Sequence, residues 1–212
     1  MSLKIIQKIK DQKIVPLFYN DSLEVSKSIV KSLYEAGIHA VEYTNRGELA
    51  LENFRKLKEL AVTEFPELSL GIGTVKNISE MDAFIDEKAD FIITPIINEE
   101  LVKHSVDKNI LLIPGCFTPS EINIAYQNGL RMVKVFPADL AGKNYIKSIS
   151  PVFPEMEFML TGGIHAEAQD ISEWMSGGVV AVGLGSALVK KEFSDEQLKE
   201  KVEQLLSLLN QE

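Results

Sequence analysis

Short apolar runs alternate with longer stretches of helical periodicity from one end of the chain to the other. Eight runs read as strands: Lys13–Phe18, Ala40–Tyr43, Leu68–Gly71, Phe91–Thr94, Leu111–Pro114, Met132–Phe136, Phe158–Leu160 and Val179–Val182. Each is apolar or β-branched and ends near Gly, Pro, Asn or Thr, the residues that punctuate strands. Between them lie helices with start signals. Asp21-Ser22-Leu23-Glu24 reads as a capping box ahead of Val25, Ile29 and Leu33, with a stop near Gly37. Asn77-Ile78-Ser79-Glu80 opens another helix, and Thr118-Pro119-Ser120-Glu121 adds a proline in the first turn. Ser194 to Gln197 begins the last helix, whose Leu198, Val202, Leu205 and Leu209 form one apolar stripe.

Strands separated by helices pair in parallel, with the helices outside. Eight such units in 212 residues predict a single domain over residues 1–212, an α/β chain folded as a (β/α)₈ TIM barrel with an extra N-terminal helix. That helix, Leu3–Asp11, is placed to cover the bottom of the barrel. A doubly wound open sheet shares the same alternation, and periodicity alone leaves it open. The composition, 45% hydrophobic and 25% charged, is that of an ordinary globular protein. A formal net charge of -9 disfavours nucleic acid as a partner, because phosphate polymers require clustered Lys and Arg. A single cysteine, Cys116, forms no intrachain disulfide and no metal cluster. No apolar run approaches the ~20 residues of a membrane span, and the charged N-terminus does not fit a signal peptide, so a cytoplasmic protein is expected.

Ligands of a parallel barrel meet the C-terminal ends of its strands, which confines the search for chemistry. Lys134 interrupts an otherwise apolar strand. Strict alternation puts Met132, Lys134 and Phe136 on one face and Val133 and Val135 on the other, so Lys134 points inward if the valines pack against helices. Desolvation favours a free amine, the form that adds to carbonyls; a lysine held in a structural ion pair fits the same pattern. Glu42 ends the second strand and can share that inner wall, as a proton carrier or as the lysine's counter-ion. Arg46 follows in the next loop, where a guanidinium can grip a carboxylate in bidentate fashion. Thr74 follows Gly71-Ile72-Gly73 and offers a hydroxyl and a backbone donor, or simply a turn. Glycine turns at Thr161-Gly162-Gly163 and Gly183-Leu184-Gly185-Ser186 close the last two strands, where backbone N–H groups of barrels often bind phosphate. His39, His104 and His165 lack metal spacing, Trp174 reads as helix packing, and Cys116 is placed toward the mouth without the partners of a nucleophile.

In this order, Val41-Glu42-Tyr43-Thr44-Asn45-Arg46, Gly71-Ile72-Gly73-Thr74-Val75, Ile113-Pro114-Gly115, Lys134-Val135-Phe136-Pro137-Ala138 and Thr161-Gly162-Gly163-Ile164 resemble the 2-keto-3-deoxy-6-phosphogluconate/4-hydroxy-2-oxoglutarate aldolase family over nearly the whole chain. The resemblance implies a class I aldolase with no metal and no cofactor, acting on a phosphorylated 2-keto acid and assembled as a homotrimer. It implies Lys134 as the imine lysine and Glu42 as the general acid/base. Arg46 and Thr74 become binders of the carboxylate end, Pro95 and Phe136 wall residues, and Thr161, Gly162, Gly163, Gly185 and Ser186 the phosphate-side group. The chain departs from the family at Asn45, often leucine, at Gly47, where threonine is usual, and at Ile96 after Pro95, where glycine is usual; Ile96 is expected to narrow the pocket. The galactonate epimer and unphosphorylated 4-hydroxy-2-oxoglutarate remain open as substrates. Outside the family, a phosphate-binding barrel isomerase or epimerase and a non-catalytic sugar-acid phosphate binder are the competing readings.

Overall fold

A computed structural model describes residues 2–211. All of its strands pair in parallel, in one nine-stranded sheet ordered β5-β4-β3-β2-β1-β9-β8-β7-β6. The strands are β1 (Ile14–Phe18), β2 (Ala40–Thr44), β3 (Ser69–Gly73), β4 (Phe91–Ile93), β5 (Leu111–Ile113), β6 (Gly115–Cys116), β7 (Met132–Val135), β8 (Glu157–Thr161) and β9 (Val179–Leu184). The two ends of the order, β5 and β6, are consecutive in the chain and separated only by Pro114. The first pairs with β4 and the second with β7, so the sheet curls into the expected eight-walled barrel through one wall broken at Pro114. Proline has no N–H to give to a ladder, which accounts for the break. Its carbonyl still accepts from Lys134 N at 2.8 Å, tying the broken wall to β7.

Alternation sorts the strand residues into two cores. Val41, Leu70, Ile92, Leu112, Val133, Leu160 and Val182 face the helices. Val15, Ala40, Phe91, Ile93, Ile113, Met132, Met159 and Ala181 fill the barrel interior. The interior cluster continues into α1 (Ser2–Gln12), whose Ile5, Ile6 and Ile9 close the bottom as the amphipathic pattern predicts. Gln12 fixes the junction. It is buried, and its amide donates to the carbonyls of Ile14 (2.7 Å) and Ala40 (2.8 Å) while its oxygen accepts from His39 N and Ala40 N. No polar group of this side chain is left wanting, as burial demands.

The helix caps follow the sequence with one shift. Thr118 and Ser194 form complete capping boxes with Glu121 and Gln197, and Asn77 accepts from Glu80 N. The helix after β1 is capped by Ser22, which accepts from Val25 N, rather than by Asp21. Asp21 instead accepts from the Tyr19 hydroxyl. Leu198, Val202, Leu205 and Leu209 are all buried. Among the described residues no helix is long and apolar enough to cross a membrane.

Because Ile9 is fully buried at the foot of the barrel, Ile9→Ala should cost about 2–5 kcal/mol in urea denaturation. A loss below about 0.5 kcal/mol, the range of surface changes, would show that α1 does not plug the barrel.

Candidate active site

Lys134 sits in the middle of β7 and is 5% exposed. Val133 and Val135 on either side pack into the outer core, so the ammonium stem is forced into the barrel. Its Nζ lies 5.2 Å from the centroid of the Phe136 ring, which adds an apolar face to its surroundings. Glu42, on β2, is 2% exposed and lies level with Leu17 of β1 and Gly71 of β3. Two glycines of β3 make room on the inner wall. A Cβ at Gly71 would overlap the Phe91 ring, and one at Gly73 would overlap Glu42 Oε1. Glycine at Gly73 is therefore what lets a carboxylate enter the barrel at this level. Glu42 Oε2 is buried and has no hydrogen-bond partner.

Burial dominates the electrostatics of both groups. It pushes the Glu42 carboxyl above the usual carboxylate range, against the opposing charges of Lys134 and Arg46. It pulls the Lys134 amine below the usual lysine range; Glu42 opposes that shift and Arg46 adds to it. Both shifts therefore run toward the neutral form of the group, while the attraction between the two charges opposes them. The arrangement holds a nucleophile and a proton donor together in a water-poor space.

The other expected residues ring the mouth at the C-terminal ends of the strands. Arg46 is exposed in the loop after β2, which Asn45 N anchors to Gly73 O at 2.8 Å. Thr74 has φ 65°, a left-handed conformation costly for a β-branched residue and therefore imposed by the surrounding fold. Thr161 ends β8, and its Oγ1 is buried without a partner beside the space that a Cβ on Gly183 would take. Gly162 (φ 104°) and Gly163 (φ 71°) make a turn packed on Ala138 and Asp139, with Asp139 N donating to Gly162 O at 3.2 Å. Pro95 is half-buried, its backbone against Gly115, and Phe136 is 37% exposed. Gly185 and Ser186 line a cavity of about 870 Å³ together with Arg46. Lys134, Glu42, Thr74, Thr161 and Gly162 do not line it; it opens to one side of the mouth, between the ends of β1, β2 and β9.

Ile96 stands 48% exposed after β4, and one expectation is corrected. Cys116 is buried rather than mouth-lining, its thiol pushed up to about 12 by burial and by the charge of Glu121, which makes it a poor nucleophile. Sequence reading also passed over Tyr19, Asn20 and Lys190, which line the cavity, and over the packing role of Gly71 and Gly73. The period-two spacing of those glycines within a strand was the available signal.

The family model described as "Aldolase: KDPG and KHG aldolase" matches residues 5–205. The chain is 31% identical over 190 residues to the 2-dehydro-3-deoxy-phosphogluconate aldolase of Haemophilus influenzae, covering 89% of this chain and 86% of that protein. It is 33% identical over 152 residues to the KHG/KDPG aldolase of Escherichia coli, covering 71% and 70%. Among solved structures, the KDPG aldolase of Legionella pneumophila with pyruvate captured as a covalent carbinolamine superposes with a TM-score of 0.79 at 29% identity, covering 95% of this chain and 94% of that one.

Lysine-resolved NMR titration should place Lys134 below the ordinary 10.5. In Glu42→Gln the value should fall further, because the carboxylate's attraction for the ammonium is gone. A titration at or above the ordinary value would contradict burial as the dominant influence.

Proposed function

Because the chain belongs to the KDPG and KHG aldolase family, we propose that it is a class I aldolase cleaving 2-keto-3-deoxy-6-phosphogluconate to pyruvate and glyceraldehyde 3-phosphate. The observation that carries this reading is the pair of buried, oppositely functional groups on the inner wall, Lys134 and Glu42, both biased to their neutral forms. An isomerase or a sugar-acid binder has no need of an amine held in that state.

In the proposed cycle the free Lys134 amine adds to the C2 carbonyl, and its proton passes to the oxygen to give a carbinolamine. Glu42 in its acid form gives its proton to the departing hydroxyl. Water leaves, a protonated imine forms, and Glu42 is now a carboxylate facing a cation. It then takes the proton of the C4 hydroxyl as the C3–C4 bond breaks. The bonding electrons pass into the imine to form an enamine, and the aldehyde departs. Glu42 returns the proton to C3, and addition of water at C2 releases pyruvate and restores the amine. Arg46 and the strained Thr74 hold the carboxylate end in this reading. Thr161, Gly162, Gly163, Gly185 and Ser186 form the phosphate end, and Pro95 and Phe136 wall the space between. No cofactor takes part, and the assembly is a homotrimer, as the family resemblance implies.

Borohydride reduction in the presence of pyruvate should add one reduced pyruvyl group to Lys134, detected by peptide mass analysis, and Lys134→Ala should abolish it. Pyruvate release should be faster with the phosphorylated gluconate substrate than with its galactonate epimer or with 4-hydroxy-2-oxoglutarate. An adduct that survives in Lys134→Ala would overturn the imine assignment. Indifference to the phosphate would overturn the phosphate-end assignment.

A further inference from the structure

Glu42 and Gly71 are level in the ladder between β2 and β3, and Gly73 is the next β3 residue facing the same way. The Glu42 carboxyl nonetheless stands against Gly73, where a Cβ would overlap its Oε1 and Cδ. The side chain therefore climbs one layer toward the mouth. The level it leaves is already filled. A Cβ at Gly71 would overlap three atoms of the Phe91 ring, so the ring rests on bare backbone there. Phe91 is fully buried, and the residue before it ties β4 to β3. Asp90 N donates to Leu70 O at 3.0 Å, the Asp90 carboxylate accepts from Leu70 N at 2.7 Å, and Lys58 pairs with the same carboxylate. The backbone under the carboxyl is fixed as well. Gly73 pairs with Thr44 in the ladder, and its carbonyl accepts from Asn45 N at 2.8 Å.

We propose that Phe91 is a positioning residue for proton transfer, the floor that keeps the Glu42 carboxyl on its seat against Gly73. The assignment rests on the aldolase reading. The reason is steric: in a close-packed interior a side chain takes the space its neighbours leave open. With the ring below and bare backbone beside it, the carboxyl has one level at which to meet the substrate carbon. A shorter side chain at Phe91 lets the carboxyl drop toward Gly71. A methyl group on Gly73 pushes it off its seat. Either change moves the proton carrier and leaves the Lys134 amine in place, because β7 is the wall opposite β2.

The test measures deuterium exchange into the pyruvate methyl group, and the pyruvate concentration that half-saturates it, in Phe91→Leu and in Gly73→Ala. Exchange at saturating pyruvate should fall about tenfold in Phe91→Leu and about a hundredfold in Gly73→Ala, the scale of a misplaced catalytic group. The half-saturating concentration should change by less than about twofold, since only the step after binding is touched. In Glu42→Ala, where the carboxyl is gone and its space is open, neither substitution should lower the residual rate further. Undiminished exchange in either folded variant overturns the role, and Phe91→Leu decides alone if Gly73→Ala does not fold. A loss that repeats in Glu42→Ala, or that appears as weaker pyruvate saturation, also overturns it. Absence of exchange in the unaltered protein overturns the aldolase reading and this role with it.

Discussion

Everything at the mouth of this barrel depends on the joint desolvation of Lys134 and Glu42. Either group alone in an apolar interior would be costly, and together as an ion pair they would still have to repay the loss of water. Burial instead biases both toward neutrality, with Glu42 raised and Lys134 lowered. Shifts in that direction lower the cost of burying the pair. In the proposed cycle they also favour the forms the chemistry uses, an amine free to attack and a carboxyl with a proton to give when a hydroxyl must leave. In the proposed cycle the imine carries a cation, which sits where the Glu42 carboxylate can stabilise it.

The rest of the fold secures that condition. Ile5, Ile6 and Ile9 close the bottom of the barrel, so the strand ends supply the route to Lys134. Gly73 opens the inner wall for the Glu42 side chain, and Phe91 fills the space beside Gly71 one layer lower. The Pro114 carbonyl anchors Lys134 N through the broken wall, keeping the lysine backbone in register where the ladder is interrupted. Thr74 is held in a left-handed conformation at the end of the glycine-bearing strand, a local cost retained next to the loop that carries Arg46.

Much of this was legible in the residues. Period-two alternation placed Lys134 inward because Val133 and Val135 suited the helix-packed face, where the structure puts them, and the cap patterns at Asn77, Thr118 and Ser194 were met. Strand ends were less legible. β3 runs to Gly73 and β9 to Leu184, beyond the apolar runs, because glycines that accept a facing side chain look like turn residues in a linear reading. The Asp21 capping box failed for a local reason: the Tyr19 hydroxyl, two residues earlier, donates to that carboxylate, and Ser22 takes over as the cap. The contact between Tyr19 and Gly47 was equally hidden, since it joins two loops that are neighbours only after β1 and β2 pair.

The most direct test of the coupled pair is exchange of the pyruvate methyl protons in deuterated water, which requires both an imine at Lys134 and a proton carrier at C3. The unaltered protein should exchange these protons. Glu42→Gln should still reach the reducible adduct, only more slowly because dehydration loses its proton donor, and should lose exchange by about a hundredfold or more, the scale of a missing general acid–base. Exchange in Lys134→Met at the rate of the unaltered protein, or undiminished exchange in Glu42→Gln, would contradict the account.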